Sequence, residues 1–319
     1  MINSVNIRLL TKLRKDGFVM NIDEILQRTD SEVVPLPVLR LIPIKGKGGL
    51  FDSKLGGTPY FPKNMEYPRG ISGDYAGKPL RLLVQLNFEQ LPHIDDFPEK
   101  GILQIFLACE NDALYGFDYY NKEEQTIQNG FRVIYHRDII ADLSQLMSDD
   151  DVPTAEFSDD EYDFPIRNEF VLKYEEPSLG YGTPIDFLFE KTFLKNYNEM
   201  SGEPIENIYK LDEKVWNRNP RCAAMIGGYP TFSRFDPRKG SLQLESFNRV
   251  LFELFDLQSD EVNSWGGHDY DIIWGDVGTG SFLIPAEKLR ECDFSAVLYN
   301  YDCGVFLQNK LFTKKKKTV

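Results

Sequence analysis

Short apolar runs broken by Gly or Pro recur along most of this chain, and their length and alternation are those of strands. Val38-Leu39-Arg40-Leu41-Ile42 follows Pro35 and Pro37, which close off helical options, and reads as a strand. Residues 80–86 are apolar enough to predict a strand covered on both faces. After a turn around Phe97-Pro98-Glu99-Lys100-Gly101, residues 102–107 are the partner expected of a hairpin or meander. Residues 131–135, 169–174, 250–254, 282–284 and 296–301 repeat the pattern. Helical spacing is rarer. Val5, Leu9, Leu10 and Leu13 share a face before Gly17, and Asn21 is a cap for residues 22–26. Asp138 predicts a short helix carrying Ile139, Ile140, Leu143, Leu146 and Met147. Thr183 as cap, Pro184 at the first helical position and Asp186 beyond it predict a helix burying Ile185, Leu188, Phe189, Phe193 and Tyr197. Another starts near Pro204 with Ile205, Ile208, Tyr209 and Val215 inward, and a short one follows Pro285.

One word occurs twice. Gly56-Gly57-Thr58-Pro59-Tyr60-Phe61 and Gly227-Gly228-Tyr229-Pro230-Thr231-Phe232 both read Gly-Gly-x-Pro-x-Phe. The paired glycines permit positive φ or close backbone approach, the proline pins the turn, and the aromatic anchors the loop on a core. Around each copy runs the order strand, Gly-Gly word, strand, Gly turn, strand, short helix. The expectation is an α+β fold, mostly antiparallel sheet with peripheral helices, in two pseudo-equivalent halves from internal duplication. The halves are residues 49–148 and 166–313, preceded by an extension and first strand (1–48) and followed by a basic tail (314–319). Between them, residues 149–165 are an acidic connector, whose like charges repel and expose one another. It lacks the alternating oxygen ligands and central Gly of a calcium loop.

Charge and cysteine usage narrow the function classes. With 36 Lys and Arg against 50 Asp and Glu, the formal charge is −14, which disfavours nucleic acid and anionic membranes as partners. Cys109, Cys222, Cys292 and Cys303 form no Cys-x-x-Cys pair and fit no zinc spacing, so reduced thiols in the cytoplasm are expected. Arg8, Lys12, Arg14, Lys15 and Asp16 interrupt any apolar leader, and no run reaches the ~20 apolar residues that span a bilayer. No phosphate loop follows either Gly-Gly word, no Gly-x-Ser-x-Gly occurs, and no cysteine has a His beside it. No cofactor is implied.

The densest polar stretch runs from Asp256 to Asp276 and holds Gln258, Ser259, Asp260, Trp265, His268, Asp269, Asp271 and Trp274, just after Glu253. It reads as a long acidic loop between strands. Asp260, His268 and Asp276 could hold a divalent metal or serve as acid and base, although one His beside Asp269 is a single weak pair. The candidate ligand or partner residues are Gly56, Gly57, Gln85, Gly227, Gly228, Asp256, Asp260, His268, Trp274 and Asp276.

The words Asp52-Ser53-Lys54-Leu55-Gly56-Gly57-Thr58-Pro59-Tyr60-Phe61-Pro62, Tyr67-Pro68 and Leu83-Val84-Gln85-Leu86-Asn87 resemble those of the YwqG-like family of uncharacterised bacterial proteins. So do Gly227–Phe232 in the second copy, Asp236-Pro237-Arg238, Leu257-Gln258-Ser259-Asp260 and Trp274-Gly275-Asp276-Val277-Gly278. Ser233-Arg234 departs from the family's Thr-Gln at that place. The resemblance implies a cytoplasmic, β-rich domain without agreed catalytic residues, and an immunity or regulatory role through some members' neighbouring toxin genes. The functional expectation is a non-catalytic binding or interaction protein for an unidentified protein or small ligand. The alternative is a metal-assisted hydrolase using Asp260, His268 and Asp276.

Overall fold

A computed structural model describes residues 21–109, 114–117, 125–153, 164–201, 205, 208, 213–262 and 267–303. The predicted helix before Gly17, Pro204, Tyr209, Trp265, most of the acidic connector and the basic tail lie outside them.

Among the described residues eleven strands form one antiparallel sheet, as the alternating runs predict, and few helices accompany it. At its centre β1 (Leu36–Lys45) pairs with β6 (Phe170–Tyr174). From β6 one arm runs outward through β2 (Lys54–Leu55), β3 (Arg81–Asn87), β4 (Ile102–Leu107) and β5 (Phe131–His136). From β1 the other arm runs through β8 (Ala224–Gly227), β9 (Arg249–Phe255), β12 (Thr279–Ile284) and β13 (Leu298–Asp302). Each Gly-Gly word leaves the first short strand of its arm, β2 or β8. A short β7 (Ser178–Gly180) lies against β1. Each arm also carries a bulge at a matching place. The β3–β4 register slips between Leu82 and Val84, and the β9–β12 register slips opposite Phe252 and Val250.

The bulges bend the sheet on itself. Phe131 of β5 packs on Tyr299 of β13 at 5.3 Å and on Phe282 of β12 at 6.0 Å, so the outermost strands meet across a shared core. Gln128 reinforces the closure, its Nε2 donating to the Phe294 carbonyl at 2.7 Å. Leu83, Leu86 and Ile105 of the first arm and Leu251, Leu254 and Ile284 of the second belong to that one core. β3 is covered on its other side as well, by Phe61, Tyr67 and Phe106 around Leu80 and Leu82. This double cover is why its sequence is almost continuously apolar.

Helix α1 (Ile22–Glu32) starts at its predicted cap, Asn21, whose side chain accepts from the Asp23 N–H. It packs on α2 (Phe187–Ser201) around Ile25, Phe189 and Phe193, and Val215 of α3 (Glu213–Trp216) together with Ile208 completes this second layer. α4 (Ala286–Arg290) follows Pro285 as expected.

Three expectations are corrected. Residues 138–147 form no α-helix, only a 3-10 turn at Leu143–Gln145 capped by Asp142. A Tyr60 hydroxyl accepting from the Ile140 N–H and a bridge from Pro62 to Leu146 hold this segment along the sheet instead. α2 begins at Phe187, and its cap is Asp186, which accepts from the Phe189 N–H at 2.9 Å, not Thr183. The reason is the buried Arg238, which holds both Asp186 and Asp236 at 2.6 Å and so fixes the chain just before the helix. The acidic stretch after Asp256 is no simple loop but a hairpin, β10 (Leu257–Val262) and β11 (His268–Ile272), anchored by buried Ile272 and its bridge to Ile166.

Candidate functional site

Both Gly-Gly words adopt the conformation their residues permit. Gly56, Gly57, Gly227 and Gly228 have φ of 67°, 72°, 71° and 69°, the left-handed region that costs any side-chain-bearing residue. Gly227 is further constrained, since a Cβ there would lie 2.3 Å from the Pro37 carbonyl oxygen. The aromatic ends of the words, Phe61 and Phe232, are buried as anchors.

A strand residue then pins each loop. In the first arm the Tyr60 N–H donates to Gln85 Oε1 at 2.8 Å, and Gln104 of β4 donates to the same oxygen at 2.8 Å. In the second arm the Thr231 N–H donates to Glu253 at 3.0 Å, and the Ser281 hydroxyl of β12 donates to it at 2.7 Å. Gln85 and Glu253 therefore hold the residue after the motif proline in the same way. Full burial pushes the Glu253 carboxyl up to about 8 against the pull of its two donors, so it is mostly protonated at neutral pH.

The arms differ in what lies over these loops. In the first arm Lys54 of β2 is buried, and its Nζ donates to the carbonyls of Gly49 at 2.8 Å and Thr58 at 2.5 Å. Burial lowers its pKa to about 8. Asp149 closes over this loop by accepting from the Thr58 hydroxyl and pairing with Lys47 at 2.9 Å. The loop is thus tied down by side chains of its own arm.

In the second arm the equivalent place is open. A cleft of about 580 Å³ lies between the sheet and the helical layer. Val38, Arg40, Met225 and Gly228 form its floor, and Ile185, Trp216 and Asn219 border it from the helical side. Thr231, Ser233 and Arg234 follow the motif loop along its rim. That rim is fixed by Asp302, which accepts from the Ser233 N–H at 3.2 Å and the Arg234 N–H at 2.6 Å. Tyr229 is fixed too, its hydroxyl donating to the Val34 carbonyl at 2.7 Å, and burial raises its pKa to about 12. Cys222 lines the same cleft, but burial and then the Glu253 charge raise its thiol to about 12, which leaves it unionised and a poor nucleophile.

The cleft gathers only some of the expected residues. Gly228 and Asp256 line it, and Gly227 lies directly beneath in β8. Gly56, Gly57 and Gln85 belong to the first arm. Asp256 accepts from the Trp274 N–H at 2.6 Å and the Gly278 N–H at 2.9 Å, so it ties down the turn after β11. Trp274 is fully buried against Tyr115, with ring centroids 5.4 Å apart. Asp260 and His268 are exposed on the hairpin, where His268 Nδ1 meets the Ser259 carbonyl at 2.9 Å. Among the described residues no three His, Cys, Asp or Glu side chains are grouped to hold a metal, so Asp260, His268 and Asp276 are not brought together as a ligand set. What sequence reading missed is Arg40. Its only signal was a charge in the middle of an apolar strand, a place where charges seldom lie without a purpose.

The model of a domain of unknown function, DUF1963, matches residues 53–303. The chain belongs to this family. The matched DUF1963 stretch begins just before β2 and ends just after β13, so it takes in both Gly-Gly words and nearly all of the cleft. It leaves out β1, which supplies Val38 and Arg40. A comparison with curated proteins gives no match. Among the described residues no helix is long and apolar enough to cross a membrane.

Proposed function

We propose that this DUF1963 protein is a non-catalytic binding protein and that its ligand site is the cleft beside the second Gly-Gly loop. The observation that carries this reading is the asymmetry of the arms: Lys54 and Asp149 bind the first loop back onto its own arm, whereas its counterpart borders a cleft of about 580 Å³. That volume is typical of small-molecule sites, which favours a small ligand over a protein surface. The unionised Cys222 and the inward-facing Glu253 supply no activated nucleophile, which favours binding over catalysis.

The resemblance to YwqG-like proteins and an immunity or regulatory role belong to the same proposal. Four scattered cysteines without a Cys-x-x-Cys pair support a reducing compartment such as the cytoplasm. The mirrored strand order, the matching bulges and the paired Gln85 and Glu253 contacts support descent of residues 49–148 and 166–313 from one duplicated unit.

Thr231 is exposed on the rim, so Thr231→Trp fills the cleft mouth without touching the core. Screening the full chain by ligand-observed NMR should find small molecules whose signals broaden with the wild type and not with this variant. Hits that bind both proteins equally, or an empty screen, would sink the assignment.

A further inference from the structure

Arg40 is buried, 5% exposed, and lines the cleft. A guanidinium offers five N–H donors and is always charged. Among the described residues its one side-chain hydrogen bond goes to a neutral group, Nη1 to the Ser178 hydroxyl at 2.6 Å. Among the described residues none of the ion pairs includes Arg40, nor Arg221 and Arg234 at the cleft's edge. The contrast with Arg238 is direct, since that equally buried guanidinium is held by two carboxylates. A buried charge without a counter-ion is costly, and it persists where something else supplies the opposite charge.

The first arm shows how this fold disposes of such a cation. Lys54 pairs in register with Val171, and Met225, the residue at the place of Lys54, pairs with Arg40. The positive charge has moved from the inner strand to the central one. In the first arm it is satisfied by two carbonyls, while in the second it faces the cleft. Asp256 is the one carboxylate among the described lining residues, and the Trp274 and Gly278 N–H groups already occupy it. Three guanidiniums border this recess, whereas Asp256 and the rim's Asp302 are committed to backbone N–H groups and Glu175, which follows β6 beside Arg40, is exposed, so positive charge gathers here on a chain of net charge −14. Trp216, Tyr229, Phe232 and Phe255 give it aromatic walls.

We infer that the cleft binds an organic oxyanion, a carboxylate or phosphate on an apolar or aromatic body, with Arg40 as the fork that grips the anionic group. Arg221 and Arg234 steer and hold it at the edge. This deepens the binding reading above and rests on it.

The test is calorimetry and thermal unfolding of the full chain with benzoate, phenyl phosphate, inorganic phosphate and neutral benzamide. Benzoate or phenyl phosphate should bind saturably, and the better of the two tells carboxylate from phosphate recognition. Benzamide should bind at least tenfold more weakly. Arg40→Met should weaken the anion at least tenfold while the unliganded variant melts no lower than the wild type, because a strand position occupied by Val171 in the other arm accepts an apolar residue. The double variant Arg221→Gln, Arg234→Gln, altered only at exposed side chains, should weaken it severalfold. Anion binding unchanged in either variant, a large fall in the melting temperature of Arg40→Met, or failure of every anion to bind overturns the inference. If benzamide binds as well as benzoate and Thr231→Trp blocks it, the cleft remains a binding site and only the anion reading is lost.

Discussion

Glu253 keeps a proton at neutral pH, where its residue type is ordinarily ionised. The unfolded chain releases this proton near pH 4.5, whereas the folded chain keeps it to about 8. Its contribution to stability is therefore full below pH 4.5 and is lost as the pH rises to about 8. At about 1.4 kcal/mol per pH unit, the loss across that window is on the order of 5 kcal/mol at most. Gln85 already does the same task in the other arm as a neutral amide, so Glu253→Gln keeps the acceptor for Thr231 and Ser281. Melting temperatures from pH 5 to 9 should fall for the wild type and flatten for Glu253→Gln. An unchanged slope in the variant would assign the pH dependence to another group. Arg40 teaches the complementary lesson. It was visible as a charge in an apolar run, but nothing local told whether a carboxylate, a carbonyl or open space awaited it.

Among the elements, the two Gly-Gly loops look interchangeable in sequence and are not so in tolerance. Gly57→Ala meets the end of the Glu169 side chain, which can move, so its cost is the left-handed backbone alone, about 1–2 kcal/mol. Gly227→Ala drives a methyl into the Pro37 carbonyl, which belongs to β1 and cannot move without breaking the sheet. Chemical denaturation should show Gly227→Ala losing at least ~2 kcal/mol more than Gly57→Ala, in the range of severe backbone conflicts. Equal losses would mean that β1 yields. The long strands were legible because burial on both faces writes itself as continuous apolar residues. β2, β7 and β8 were not, being two to four residues long and too short to show a period. The β10–β11 hairpin was hidden by its polarity, for it lies apart from the main sheet and buries little beyond Ser259, Asp271 and Ile272. The cleft has no sequence signature at all, since its walls come from β1, the approach to α2, the segment after α3, the second motif loop and the end of β9.

On the scale of the whole molecule, the curled sheet makes the two arms one cooperative body. Phe131, Phe282 and Tyr299 join the outer strands through a core that neither arm completes by itself. Calorimetry should record one unfolding transition, with fluorescence and circular dichroism coincident. Phe131→Ala should lower stability by about 3–5 kcal/mol without splitting it. Two resolved transitions would show that the arms fold separately. The position of β1 has a further consequence, for synthesis. Among the described residues every strand that hydrogen-bonds to it, β6, β7 and β8, lies later in the chain, the last ending at Gly227. While the ribosome extends the chain from β1 to β6, β1 waits for its first partner although its first six residues are mostly apolar, so the β3–β4–β5 meander can pair before the centre of the sheet is zipped shut.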